Sequence, residues 1–176
     1  MTQVRPRAVA WGGMLSALGW LFLIFSGALP TGRLVTMTLA SWVVAIAWRE
    51  WHWKGAFLVY LAVSLLGLIW PGWFVAVMFA LCFGLLPLLT LFLCPRMPRW
   101  LARTLIHVVM TGLFLAGGTL IGFESMFHAR ADGSMTVVLI VAIAVIQLFL
   151  FVYDYAFRAF ERFYEQRIAP WVHRRA

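Results

Sequence analysis

The stretch Leu93-Cys94-Pro95-Arg96-Met97-Pro98-Arg99-Trp100 is a short basic hinge between two long apolar runs. The runs cover residues 73–93 and 101–123, and each approaches the roughly 20 apolar residues that a helix needs to cross a bilayer. Two prolines interrupt helical geometry between them, and arginines beside a tryptophan are typical of a turn at headgroup level. The stretch therefore predicts two membrane-spanning helices joined by a basic turn.

The composition of the whole chain repeats this pattern. Of its 176 residues, 64% are hydrophobic and 11% are charged, whereas soluble domains carry about 25% charged residues. This indicates an integral membrane protein with material for about six helices, and it excludes a soluble catalytic or nucleotide-binding domain. The net charge of +8 lies at the ends of apolar runs, so we interpret it as setting orientation rather than binding nucleic acid.

The predicted fold is all-α, a single bundle of six transmembrane helices that makes one membrane domain over residues 1–176. Residues 49–54 alternate tryptophan with charge, which favours a turn at headgroup level. Beyond residue 153, aromatic residues recur at helical spacing, and Asp154 and Arg158 are placed for an ion pair. The helices are predicted near 8–29, 34–48, 55–69, 73–93, 101–123 and 136–153, with 154–170 as a cytoplasmic amphipathic extension.

The basic residues predict a multi-pass protein of the cell membrane with both termini cytoplasmic. With six helices in that orientation, only Arg33 and Arg130 of the fourteen Lys and Arg residues lie outside. Such a bias is the one that the positive-inside rule describes. The residues placed inside are Arg5, Arg7, Arg49, Lys54, Arg96, Arg99, Arg103, Arg158, Arg162, Arg167, Arg174 and Arg175.

Candidate solute-binding residues are the polar side chains of the outer loops. The alternative is a solvated loop with helix-end caps, which needs no special explanation. Arg33 is alone on its loop and opposes the charge rule, so it is expected to hold an anionic group or a loop carboxylate. The candidates are Thr31, Arg33, Glu124, His128, Arg130 and Asp132.

Other polar or small residues have an ordinary explanation beside a functional one. His107 is expected to be hydrogen-bonded near Thr104 or Thr111 rather than to form a binding site. Most of the ten tryptophans fall at predicted helix ends, as in an interfacial belt. The first helix carries small residues that suit either packing within the chain or docking of a separate membrane subunit. These are Gly12, Gly13, Ser16 and Ala17.

No motif supports an enzyme, and we expect no catalytic residue, metal site or cofactor. Metal-binding helices, nucleophile elbows and phosphate-binding loops each need a defined spacing that this chain lacks. Cys82 and Cys94 have neither CxxC spacing nor a nearby histidine pair, so they indicate neither a disulfide framework nor a metal site.

The layout resembles the substrate-binding S components of energy-coupling factor transporters, and in particular uncharacterised S-component-like proteins of Gram-positive bacteria. The likeness lies in the six predicted helices, the small residues from Ala8 to Ala17, and the stretches 29–34 (LPTGRL), 83–88 (FGLLPL) and 152–155 (VYDY). It implies capture of a small solute from outside and uptake driven by a membrane scaffold with ATPase subunits. It also implies that the small-residue face docks on that scaffold and that the outer loops cover the solute.

A second hypothesis gives the chain a structural role. The predicted helix beyond residue 153 is amphipathic and reaches past the bilayer, so it is suited to docking on a partner or lying on the membrane surface. The chain would then recruit cell-envelope or division proteins through its C-terminal helix. The sequence leaves the identity of the solute open under the first hypothesis.

Overall fold

All regular elements in the described residues, 6–29, 32–120 and 135–168 of this computed structural model, are helices. Five helices are long and apolar enough to cross a membrane: α1, α2, α3 with α4 as one rod, α5 and α6. This confirms the predicted all-helical class, and the length and composition of these helices are compatible with membrane spans. The bounds are α1 Pro6–Ala28, α2 Arg33–Ile69, α3 Trp73–Met78, α4 Leu85–Leu93, α5 Arg99–Leu120 and α6 Met135–Phe163; π-helical segments cover Phe79–Gly84 and Tyr164–Ile168.

The predicted helices 34–48 and 55–69 meet at a kink at Trp51 and His52 within α2, with almost no turn between them, and the count of six helices is not confirmed. Residues 49–54 stay helical apart from Trp51 and His52, where the backbone leaves helical geometry. The tryptophans and charged residues of 49–54, which predicted a separate turn, are therefore mostly helical themselves. The predicted turn covered residues 49–54, whereas only two residues leave helical geometry in the structure.

Helix α2 nevertheless folds back on itself at this break. Near its start, Arg33 Nε donates a hydrogen bond to the backbone oxygen of Ser26, at 3.2 Å. Just past its end, Pro71 lies so close to Gly27 that a β-carbon on this glycine would be 2.5 Å from the proline Cβ. A straight helix of 37 residues would be about 55 Å long, so it cannot bring both ends beside the last turn of α1. Two arms, 33–50 and 53–69, therefore run in opposite directions.

Helix α1 packs along the second arm through small residues and leucines. A β-carbon on Gly19 would lie 2.8 Å from Val63 Cγ2, and one on Gly67 would lie 3.0 Å from Leu23 Cδ1. The contacts advance in the same direction along both segments, so α1 and the second arm are parallel. Leu23 and Val63 are fully buried between them, which makes this seam part of the core of the first unit.

The rod of α3 and α4 widens into a π-helical segment ahead of Pro87. Proline lacks the backbone N–H of a regular helical turn, which accounts for a disturbance in the turn before it. Tyr60, on the second arm of α2, donates its hydroxyl to the carbonyl oxygen of Ala80 at 3.1 Å. Gly84 admits the Tyr60 ring, since a β-carbon there would lie 2.7 Å from two ring carbons.

The described chain forms two compact units, Met1–Ala129 and Arg130–Ala176. The first contains α1 to α5. The second contains α6, in which the rings of Tyr153 and Phe157 stack with centroids 5.9 Å apart. Asp154 and Arg158 form the ion pair that their spacing predicted. The single membrane domain stays a prediction, and residues 169–170 of the predicted extension lie outside the described residues.

Candidate anion site beside the last turn of helix α1

The described basic side chains of the first unit lie near its two ends, with one arginine at one end and the others at the opposite end. Arg33 lies at the end where α1 finishes and α3 begins. The α3–α4 rod of 21 residues separates this end from the α4–α5 turn by about 31 Å. The basic residues near the α2 break or the α4–α5 turn, at the opposite end, are Arg49, Lys54, Arg96, Arg99 and Arg103.

Three elements hold the Arg33 side chain in place. The residue itself is in the first turn of α2 and is partly buried. Its Nε donates to the Ser26 carbonyl in the last turn of α1, and its Cζ lies 5.7 Å from the ring centroid of Phe74 in α3. A guanidinium has five N–H donors, of which this hydrogen bond uses one. The two terminal nitrogens have no hydrogen-bond partner within the ranges that the structure describes.

The side chain of Ser26 is enclosed within the first unit. The residue is fully buried, and its hydroxyl oxygen has no hydrogen-bond partner among the described residues. A buried hydroxyl left in this state costs about 1–3 kcal/mol, so a partner would be stabilising.

The turn that presents Phe74 is fixed by two further contacts. Trp20 in α1 donates its indole N–H to the carbonyl oxygen of Trp70 at 2.8 Å. Gly72 then adopts φ 124°, a conformation that residues with a β-carbon rarely adopt, and the chain enters α3 directly afterwards. The position of the Phe74 ring beside Arg33 therefore depends on a turn that is fixed by the Trp20 hydrogen bond from α1.

Sequence reasoning singled out Arg33 and missed the two residues that hold it. Ser26 stands alone in an apolar run, seven positions before the arginine, and Phe74 is one of fifteen phenylalanines. The one indication in the sequence was that Ser26 is a single hydroxyl residue close to the end of an apolar run. The remaining predicted solute-binding residues, Thr31, Glu124, His128, Arg130 and Asp132, lie outside the described residues.

The small-residue face of α1 is open in the first unit. No described atom outside the local helix lies within 4 Å of a β-carbon built on Gly12 or Gly13. Ala17 is exposed and Ser16 is partly buried. Packing within the chain instead uses Gly19 and Gly27, which the sequence reasoning did not select. Docking of another subunit on this face stays a prediction.

Around His107, the nearby threonines donate to backbone rather than act as isolated polar groups. Thr104 Oγ1 donates to the Trp100 carbonyl at 3.0 Å, and Thr111 Oγ1 donates to the His107 carbonyl at 2.7 Å. The imidazole is partly buried, and its expected hydrogen bond to a threonine stays a prediction. No group of three His, Cys, Asp or Glu residues in the described ranges is placed to hold a metal ion.

Four tryptophans near the helix ends are largely exposed, as an interfacial belt requires, whereas Trp48 and Trp51 are partly buried. Trp70 and Trp73 flank the turn beside the Arg33 site, and Trp53 and Trp100 lie near the opposite end. All four expose more than half of their surface. These side chains are suited to both headgroup regions of a bilayer.

The chain was compared with known proteins on three levels. No family model matches the sequence, no curated protein matches it, and no solved structure matches its fold.

Proposed function

We propose that this chain is a solute-binding membrane subunit that captures a small solute beside Arg33, for uptake driven by partner ATPase subunits. The observation that carries the proposal is the Arg33 side chain, anchored through Nε and flanked by Phe74, with two terminal nitrogens still able to donate. A fixed guanidinium loses little further conformational freedom when it binds, which favours recognition. Arg96 at the opposite end is also held by a backbone carbonyl and an aromatic ring, both of Phe92, but it is exposed, whereas Arg33 is partly buried.

The proposed orientation places the Arg33 end outside the cell. If each arm of α2 crosses the membrane, the chain crosses six times and both termini are cytoplasmic. The basic residues around the α2 break and the α4–α5 turn then face the cytoplasm, in agreement with the positive-inside rule. Solute would enter at the end where α1 finishes.

The proposed partners are a transmembrane scaffold and ATPase subunits, which the likeness to S components implies. The open surface at Gly12 and Gly13 supports this, because small residues allow another helix to approach closely in lipid. In this arrangement α1 uses Gly19 and Gly27, nearer its C-terminal end, for its own unit and leaves Gly12 and Gly13, nearer its N-terminal end, for the scaffold.

Purification of a tagged chain from native membranes in mild detergent, followed by mass spectrometry, tests this assignment. Wild-type protein should recover a membrane scaffold with ATPase subunits. Gly13→Leu should lower that recovery at least fivefold, because its side chain occupies the proposed contact face. Gly112→Leu is the matched control, since this glycine of α5 is also open, and it should leave recovery unchanged.

Two results of that purification would count against the proposal. Recovery of cell-envelope proteins in place of ATPases would move the assignment to the structural role. Equal recovery with Gly13→Leu and with wild type would remove the small-residue face from the account.

The length of α6 favours one second candidate, a structural protein that recruits envelope or division partners. Its 29 residues make about 43 Å of helix, more than a hydrocarbon core of about 30 Å needs. Arg158, Arg162 and Arg167 are exposed along its last turns and the π-helical segment that follows. Truncation before Arg158 should then abolish partner recruitment and leave solute binding intact; loss of solute binding alone would exclude this candidate.

A further inference from the structure

We propose that the basic end of the first unit, where the α2 break and the α4–α5 turn lie, binds anionic phospholipids in preference to zwitterionic ones. The partner is the headgroup layer of the leaflet that this end meets, and phosphatidylglycerol is one lipid of that chemistry. The proposal depends neither on the solute nor on the scaffold of the proposed function.

The α2 break and the α4–α5 turn lie at the same end of the first unit. A β-carbon on Gly67 would lie 3.3 Å from Ala76 Cβ, and one on Gly84 would lie 2.7 Å from two carbons of the Tyr60 ring. The second arm of α2 and the α3–α4 rod are therefore antiparallel. From the Tyr60 contact, the break is about 11 Å away along α2 and the end of α4 is about 14 Å away along the rod, so the two lie at nearly the same depth.

Basic side chains outnumber acidic ones at this end. Glu50 is the only acidic residue in the first 123 positions of the sequence. The α4–α5 turn therefore has three arginines and no carboxylate of its own, and lipid phosphates supply the complementary charge. The basic side chains of this end are all exposed; they are Arg49, Lys54, Arg96, Arg99 and Arg103.

Two of these cations lie over exposed aromatic rings. Arg96 Nη1 donates a hydrogen bond to the Phe92 carbonyl at 2.8 Å, and its Cζ lies 3.8 Å from the Phe92 ring centroid. Lys54 Nζ lies 5.9 Å from the ring centroid of Trp53. In a bilayer, aromatic rings and the stems of long basic side chains lie against the acyl chains while the charged ends reach the headgroups. The two cations are therefore placed at the level of the lipid phosphates.

Exposed apolar side chains around the α4–α5 turn favour lipid over a soluble partner. Trp100 exposes 70% of its surface, and Met97 and Leu101 are also exposed. They alternate along the chain with Arg96 and Arg99. The boundary between acyl chains and headgroups covers such apolar groups and meets the charges together, whereas an acidic protein surface would match the charges alone.

The arginines near the C-terminus lack this excess of charge. Between Asp154 and Arg167 the sequence has three basic and three acidic residues, and Asp154 forms an ion pair with Arg158. This segment has as many arginines as the α4–α5 turn but no net charge, so it attracts an anionic surface less. It therefore provides a matched control.

The test measures which lipid the chain retains. The full chain is reconstituted in nanodiscs with equal amounts of phosphatidylglycerol and phosphatidylcholine of the same acyl chains, then extracted in mild detergent, and the bound lipids are quantified by mass spectrometry. We expect phosphatidylglycerol to be enriched about threefold or more over the bulk mixture. Arg96→Gln combined with Arg99→Gln should remove at least about half of that enrichment.

Two further double variants show whether the effect belongs to the α4–α5 turn. Arg96→Lys with Arg99→Lys keeps both charges and should retain the enrichment. Arg162→Gln with Arg167→Gln removes the same charge from the C-terminal segment and should retain most of it. Equal loss in this control and in the glutamine variant of the turn would show a general effect of net charge and would overturn the proposal.

Three other results would also overturn it. Loss in the lysine variant as large as in the glutamine variant would show that charge is not what the lipid recognises. Full enrichment in the glutamine variant would place the bound lipid elsewhere on the chain. No enrichment with wild type would exclude an anionic-lipid interface and leave an acidic protein surface as the partner for this end.

Discussion

At the scale of the residue, glycine has two different roles along α1. Gly19 faces the second arm of α2, where a β-carbon would lie 2.8 Å from Val63 Cγ2. Gly13 faces open space, with no described atom within 4 Å. Both sit inside the same helix, where glycine costs about 1 kcal/mol relative to alanine. Alanine therefore changes the free energy of unfolding by propensity alone at one position and by propensity plus overlap at the other.

We expect Gly19→Ala to destabilise the chain by about 1–2 kcal/mol, because a stiff, buried valine must move to admit the methyl group. Gly13→Ala should stabilise it by up to about 1 kcal/mol through helix propensity. Thermal midpoints of the two purified variants in one detergent provide the comparison. Equal shifts of the same sign would show that α1 does not pack along the second arm of α2.

At this scale the sequence was informative mainly through the distribution of charge. Arg33 stood out because it opposed the distribution of the other basic residues. Ser26 and Phe74 did not stand out, since a serine in an apolar run and a phenylalanine at a helix start are ordinary in a membrane protein. Their role depends on α1 and α3 meeting at one end of the unit, which no local pattern encodes.

At the scale of the element, the break in α2 decides the topology of the first unit. Its two arms were predictable as apolar segments, whereas the shortness of the kink between them was not, because only Trp51 and His52 leave helical geometry. His52 has φ 59° and ψ −164°, a region that is essentially restricted to glycine. This strain is the local cost of reversing the chain within two residues.

We expect His52→Gly to stabilise the chain by about 1 kcal/mol, since glycine adopts this conformation without strain. Lys54→Gly is the matched control. It lies two residues further on in regular helix and should destabilise by about 1 kcal/mol. Unfolding of both variants in the same detergent measures the difference in sign. Destabilisation by His52→Gly would contradict the break.

At the scale of the whole molecule, each compact unit has its own part in the account. The first unit brings Ser26, Arg33 and Phe74 together at one end and collects the other described basic side chains at the opposite end. The second unit is a helix longer than a bilayer requires. Composition alone predicted the membrane class, because so few charges leave no other environment for so many apolar residues. The orientation of the ends depends on the cell as well as on the chain.

The central claim is that the Arg33 site faces the outside and the basic turn faces the cytoplasm. Labelling single cysteines with a membrane-impermeant maleimide tests it most directly, in a chain whose Cys82 and Cys94 are replaced by alanine. Leu29→Cys marks the Arg33 end and Met97→Cys marks the basic end; both positions are exposed. The account predicts labelling of Leu29→Cys in intact cells and of Met97→Cys only after permeabilisation. Labelling of Met97→Cys in intact cells would contradict it.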